Sequence, residues 1–216
     1  ASGLGDRGSL QLQTTVQQLE RTAGGWVIDS AEHGRHAPTY GAVVLAIPAP
    51  QAAPLTSAVA PAAAAVARSA RMRGSWAVML RFAAPVPLAW DGAFINTGPL
   101  RWVARDSSKP GRTAPAGTET WLLHASPEWS DAHIEDAADS VTATLLAAFQ
   151  ALGGPAPAQV QATAHRWRYA DTEPALTLGY WWDADAQLGM CGDWISGGKV
   201  EGAWLSGQSL ARAVAG

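Results

Sequence analysis

The stretch that most constrains this chain lies near its end: Cys191-Gly192-Asp193-Trp194-Ile195-Ser196-Gly197-Gly198-Lys199-Val200-Glu201-Gly202-Ala203-Trp204-Leu205-Ser206-Gly207. It reads as a short strand ending in Gly-Asp, then a glycine-rich loop, then a helix of small residues. Gly192 permits close backbone approach. Asp193 offers an acceptor at a strand end, where ligands of open α/β sheets gather. Gly197-Gly198 permits a tight loop. The helix start at Val200–Ala203 leaves backbone N–H groups without intrahelical partners and carries a partial positive charge. Such an end can face an anion, or a carbonyl that becomes anionic. Gly202, Ala203, Ser206 and Gly207 form a stripe that lets a ring or a neighbouring element lie close. A helix–sheet packing seam would use the same stripe.

A second constraint is Ala42-Val43-Val44-Leu45-Ala46-Ile47, an apolar run of strand length stopped by Pro48 and Pro50. Its lack of alternation predicts a strand covered on both faces, as in a parallel sheet. Before it, Leu10 to Leu19 alternates and predicts a half-buried strand. Gly24-Gly25 predicts a turn and Trp26-Val27-Ile28 a second strand. Gln51 to Arg71 predicts helix broken near Pro54 and Pro61. Trp76–Phe82, Gly92–Asn96, Leu100–Arg105 and Thr118–His124 predict an antiparallel sheet. Ser130 to Leu152 predicts one helix, ended by Gly153-Gly154. Gln159–Tyr169 and Leu188–Asp193 predict strands, and Val200–Val214 a helix. No repeat of 20–50 residues is present. Gly3-Leu4-Gly5-Asp6-Arg7-Gly8 matches G-x-G-x-x-G, but no strand precedes it and no helix pattern follows. It predicts a solvated loop, not a dinucleotide site.

Composition excludes several classes. The 216 residues carry a net charge of −3 with no Lys/Arg run, so a nucleic-acid footprint is not expected. The apolar stretches are too short to span a bilayer. Cys191 is the only cysteine, which excludes an internal disulfide and a cysteine-cluster metal site. A reducing cytoplasm is the expected compartment. Trp occurs 11 times against three Phe and three Tyr. Core filling or an aromatic pocket for a flat ligand would each use them. Nucleophile elbow, zinc motif and P-loop are all missing.

The carboxyl-terminal segment resembles the FAD-binding motif of the glutathione-reductase-type flavoproteins, most nearly that of the renalase-like, amine-oxidase-related bacterial oxidoreductases. Gly25-Trp26, Val43 to Gln51, Ser75 to Val78, Trp121 to Ala125 and Ala164 to Trp167 agree in family order. The resemblance implies an α+β fold with three parts. Residues 1–50 would be a meander and strand of the FAD-binding layer. Residues 51–185 would be an antiparallel-sheet substrate domain covering the flavin ring. Residues 186–216 would be the carboxyl-terminal strand, loop and helix of the FAD-binding layer. The family's opening strand, fingerprint and acidic residue do not appear. The chain thus looks like the carboxyl-terminal two-thirds of a flavoenzyme, inactive alone, with an apolar seam open to homodimerisation.

Within that frame, Asp193 and Gly192 would meet the ribityl–phosphate part of FAD. Lys199, Val200, Glu201, Gly202 and Ala203 would aim helix amides at the N1–C2=O edge of the flavin. Val16 would contact the adenine end, and Ala46 and Pro48 would end the strand beside the cofactor. His165 and Trp167 are the candidate catalytic residues. Trp102, Trp121, His124 and Trp194 are candidates for the substrate lining. The implied reaction is hydride transfer from a small reduced substrate, such as a dihydronicotinamide nucleotide, to flavin N5, with O2 as acceptor. An amine oxidase, a flavin monooxygenase, or a module that has lost its cofactor would keep the same framework. For His165 a strand histidine bonded to a neighbour is the simpler role, and for Glu201 it is dipole compensation. Asp183 and Asp185 read as a solvated loop, and Cys191 as a small buried hydrophobe.

Overall fold

A computed structural model describes residues 8–112, 115–155 and 160–216. In chain order the strands are β1 (Val16–Thr22), β2 (Gly25–Ser30), β3 (Gly34–Arg35), β4 (Val43–Leu45), β5 (Met72–Phe82), β6 (Gly92–Phe94), β7 (Leu100–Arg105), β8 (Glu119–Ala125), β9 (Val160–Thr172), β10 (Trp181–Asp183) and β11 (Leu188–Met190). The helices are α1 (Ala49–Thr56), α2 (Pro61–Ser69), α3 (Pro127–Ala132), α4 (Ala138–Ala151) and α5 (Lys199–Ala215). Helix and sheet are mixed, and antiparallel pairing dominates. Contacts divide the chain into two compact units, one running to Arg71 and resuming over Thr172–Gly216, the other Met72–Asp171. The sequence pattern places part boundaries after residues 50 and 185, and the compact units divide differently. Helix α1 lies against β1. Likewise Leu176 and Gly179 donate backbone bonds to Trp194 and Ile195. Both stretches therefore fold with the first unit.

The first unit holds two small sheets. β1, β2 and β3 form an antiparallel meander. Its buried anchor is Trp26, whose indole N–H donates to the Ala186 carbonyl at 2.9 Å. The strand predicted from Leu10 begins only at Val16. Leu10 and Leu12 are exposed; β2 ends opposite Val16, and beyond it Thr15 is held by the Ala31 N–H and the Glu32 carboxylate. The second sheet has the order β10-β11-β4, with β11 parallel to β4. Val43 and Leu45 are buried, but Val44 is 45% exposed. The apolar run is thus covered on one face, not two. Pro61 opens α2 at its first turn, where its missing N–H costs nothing, and Pro54 lies near the end of α1.

The second unit is a five-stranded sheet of order β6-β7-β8-β5-β9. The β6/β7, β7/β8 and β8/β5 pairs are antiparallel. One face carries Val78, Leu80, Phe82, Leu100, Val103, Trp121 and Leu123, packed with Val141, Leu145 and Phe149 of α4. Burying such side chains contributes roughly 1.5–3 kcal/mol each. The single helix predicted over Ser130–Leu152 is two. The Trp76 indole takes the His133 carbonyl at 2.9 Å, and Arg166 takes the Ile134 carbonyl at 2.8 Å. Those carbonyls are committed to side chains of β5 and β9, which favours a break there. Of the Gly3–Gly8 motif only Gly8, which is exposed, lies within the described residues; Gln159 also lies outside them.

Candidate functional site

In the first unit the strand-to-helix segment is held from several sides. β11 ends at Met190, and Cys191 donates its N–H to the Leu45 carbonyl at 3.1 Å. Gly192 has φ 151°, and a Cβ there would meet the Trp194 indole at 2.9 Å, so both backbone and space require glycine. Its N–H donates to the buried Ser206 hydroxyl at 3.1 Å, which donates in turn to the Gly179 carbonyl. Ser206→Ala would strand the Gly192 N–H and cost about 1–3 kcal/mol. A urea midpoint equal to wild type would contradict that role.

Residues Asp193–Ile195 form a 3-10 turn, and the Asp193 carbonyl accepts from Ser196 and Gly198 at 3.0 and 2.8 Å. Gly197, Gly198 and Lys199 all have positive φ, at 74°, 75° and 67°. Lys199 is the non-glycine of that run, a conformation costing about 1–3 kcal/mol. The chain thereby turns sharply into α5. No side chain caps this helix. The Asp193 carboxylate is half-buried and makes no hydrogen bond or ion pair among the described residues. Gly202 lies so close to the Ser196 carbonyl oxygen that a Cβ has no room. Glu201 stands in the first turn of α5, where an acid suits the helix dipole.

In the second unit the sheet face opposite α4 carries a cavity of about 560 Å³. Arg101, Trp102, His124, Trp167, Tyr169 and Asp171 are among its walls. Alternation puts them there: on β8 Trp121 and Leu123 turn inward, and Leu122 and His124 turn outward. On β9 the odd positions from Thr163 to Asp171 share this outer face. Trp102 pairs with His124 across β7 and β8. The Trp102 ring packs on Phe94 at 4.6 Å, and His165 meets Trp167 edge-on at 4.4 Å. Burial, reinforced by the Lys109 charge, pushes the His124 pKa down. The imidazole is therefore neutral at physiological pH, fit to bond a polar substrate group without adding charge.

That depression has a stability consequence. Below the ordinary histidine value of 6.5 the unfolded chain takes up a proton that folded His124 refuses. This contribution is complete above that pH and is lost as pH falls toward the folded value. Urea midpoints at about pH 7 and about pH 5.5 should differ less in His124→Gln than in wild type. An unchanged difference would rule out the half-buried neutral imidazole.

The structure brings Trp102, His124 and Trp167 to one cavity, with His165 beside Trp167. Two expected lining residues are not among the walls of this cavity. Trp121 is 1% exposed, its ring on the helix-covered face. Trp194 is also 1% exposed, in the first unit, where its indole N–H bonds the Ile47 carbonyl at 3.1 Å. Gly192, Asp193 and Lys199 to Ala203 form the segment entering α5. Ala46 and Pro48 follow β4, and Val16 begins β1 opposite Ser30. Arg101, Tyr169 and Asp171 also line this cavity and belong to none of the motifs above. The period-2 spacing from His165 through Trp167 signals the last two. Asp183 accepts from the backbone N–H groups of Asp185 and Ala186 and so shapes its own turn. Cys191 is buried, and burial pushes its thiol pKa up. Among the described residues no cluster of His, Cys, Asp and Glu suits a metal ion. Likewise no described helix is long and apolar enough to cross a membrane.

A family model described as flavin containing amine oxidoreductase matches residues 4–215. Solved structures share the fold at low identity. A protein assigned as a protoporphyrinogen oxidase, from Exiguobacterium sp. 255-15, aligns with TM-score 0.77 and 15% identity over 99% of this chain and 49% of its own. A wild-type putrescine oxidase bound to putrescine aligns with TM-score 0.63 and 14% identity over 100% and 51%. The cyclohexylamine oxidase of Brevibacterium oxydans aligns with TM-score 0.58 and 15% identity over 93% and 47%. The chain thus spans about half the length of these structures.

Proposed function

The chain belongs to the family of flavin containing amine oxidoreductases, and on that premise we propose that the whole protein is an FAD-dependent oxidoreductase acting on a small, flat, reduced substrate. A dihydronicotinamide is the representative case, O2 the acceptor, and a renalase-like place within the family part of the proposal. The observation that carries this reading is the segment from Gly192 to Gly202. It offers an unpartnered carboxylate at Asp193, an uncapped helix start, and a glycine where a Cβ has no room. These features fit a flavin. The free N–H groups of α5 favour negative charge on a nearby ring edge. Asp193 can accept from a ribityl hydroxyl. In this reading Val16, Ala46 and Pro48 line the rest of a glutathione-reductase-type layer.

When bound, the flavin supplies the electron chemistry, accepting a hydride and passing the electrons to oxygen. The protein's own task is then positioning. Trp102 and Trp167 offer faces for a planar ring, and His124 a neutral bonding partner for its amide. His165 steadies Trp167. An amine substrate is the second reading. It is favoured by the Asp171 carboxylate and the aromatic rings of the same cavity, which suit an ammonium group.

The test is the visible spectrum of the purified full-length protein, with and without added FAD, after gel filtration. The expected result is a retained band near ~450 nm. It should bleach anaerobically with an isomeric dihydronicotinamide and recover in air. A protein that stays colourless after FAD is added refutes the proposal; bleaching only by amines selects the second reading.

A further inference from the structure

We propose that a second cavity on the outer face of the five-stranded sheet binds the phosphate or diphosphate of the substrate. The inference rests on the reading that this face receives the substrate. The cavity measures about 580 Å³, and its walls include Met79, Arg81, Arg112, Thr120, Leu122 and Thr163. Arg81 is exposed on β5 and makes no ion pair or hydrogen bond among the described residues. Asp106, also in the wall, is shared by Lys109 at 2.8 Å and Arg112 at 3.6 Å. One carboxylate therefore answers two cations, and Arg81 adds a third positive charge. The surplus favours an anion. Guanidinium forks suit phosphate oxygens in two-pronged contacts, and the threonine hydroxyls add neutral donors.

The spacing links the two cavities. Thr120 and His124 lie four residues apart on β8, as do Thr163 and Trp167 on β9. At the usual rise along a strand that is about 13 Å. It is roughly the distance from the ring of an extended nucleotide to its diphosphate. A ring between Trp102 and Trp167 would thus send its anionic end toward Arg81 and Arg112. The same surplus of cations disfavours an ammonium substrate, so it weighs against the amine reading.

Calorimetric titration of the full-length protein with inorganic pyrophosphate isolates the anion site from any turnover. Saturable, salt-weakened binding is expected. Arg81→Gln and Arg112→Gln should each weaken it about tenfold or more, and Arg71→Gln, outside the cavity, should not. The variants change exposed side chains; far-UV circular dichroism checks that they fold. No binding, or equal binding by the Arg81 and Arg112 variants, overturns the inference. The second arm compares KM for dihydronicotinamide mononucleotide and its phosphate-free riboside. Wild type should favour the phosphorylated form, and both variants should lose that preference. Pyrophosphate binding without a phosphate effect on KM overturns the assignment to substrate. Pyrophosphate binding with neither compound oxidised leaves the anion site standing and refutes the dihydronicotinamide reading.

Discussion

Gly202→Ala will destabilise the protein by about 1–3 kcal/mol and strip it of flavin. Helix propensity alone predicts the opposite sign, since alanine is better than glycine inside a helix by about 1 kcal/mol. The difference lies in the Ser196 carbonyl, which occupies the space of the new methyl group. The loop that presents it cannot retreat. Ser196 and Gly198 donate to the Asp193 carbonyl, Gly197 donates to Leu176, and Gly179 donates to Ile195. The helix start must therefore move, taking its free N–H groups with it. Gly207 on the same helix is the internal control. Among the described residues nothing beyond its own stretch of helix lies within 4 Å of its would-be Cβ, so Gly207→Ala should gain about 0.5–1 kcal/mol. Urea midpoints and flavin absorbance per chain measure both effects. Equal shifts at the two glycines would discard the steric argument.

That pair shows what a sequence can and cannot convey. The Gly-Asp, Gly-Gly and small-residue pattern identifies the strand, loop and helix because each glycine answers a local backbone need. It does not reveal which glycine touches another element. Both Gly202 and Gly207 belong to one small-residue stripe, yet only Gly202 meets a neighbour. Likewise the run Ala42–Ile47 announces a parallel strand, and β4 does pair in parallel with β11. Coverage of its faces depends on elements distant in sequence, and Val44 is open. The long helix expected from Ser130 breaks because two carbonyls are claimed by Trp76 and Arg166. Periodicity within the helix carries no trace of those partners.

Trp121 and Trp167 make the last contrast, since composition alone treats them alike. Trp121 falls on the inward beat of β8. Its ring meets Trp90 at 5.4 Å and Phe149 at 5.3 Å, with the Arg105 guanidinium 4.9 Å from its centroid. Its N–H donates to Glu119 at 3.0 Å, a carboxylate that also receives Arg105 and the Val86 N–H. Trp121→Ala removes a fully buried ring and one of three donors to that carboxylate. The expected cost is about 3–5 kcal/mol, the largest of any change considered. Trp167 falls on the outward beat of β9 and is 55% exposed. Trp167→Ala should alter stability by no more than about 0.5 kcal/mol. It should raise KM for a flat substrate by roughly 2–10-fold, as loss of one stacking partner implies. Denaturation midpoints and steady-state kinetics on the two variants separate the roles. If Trp167→Ala unfolds the protein, or Trp121→Ala costs nothing, then the face assignment that underlies the candidate site is wrong.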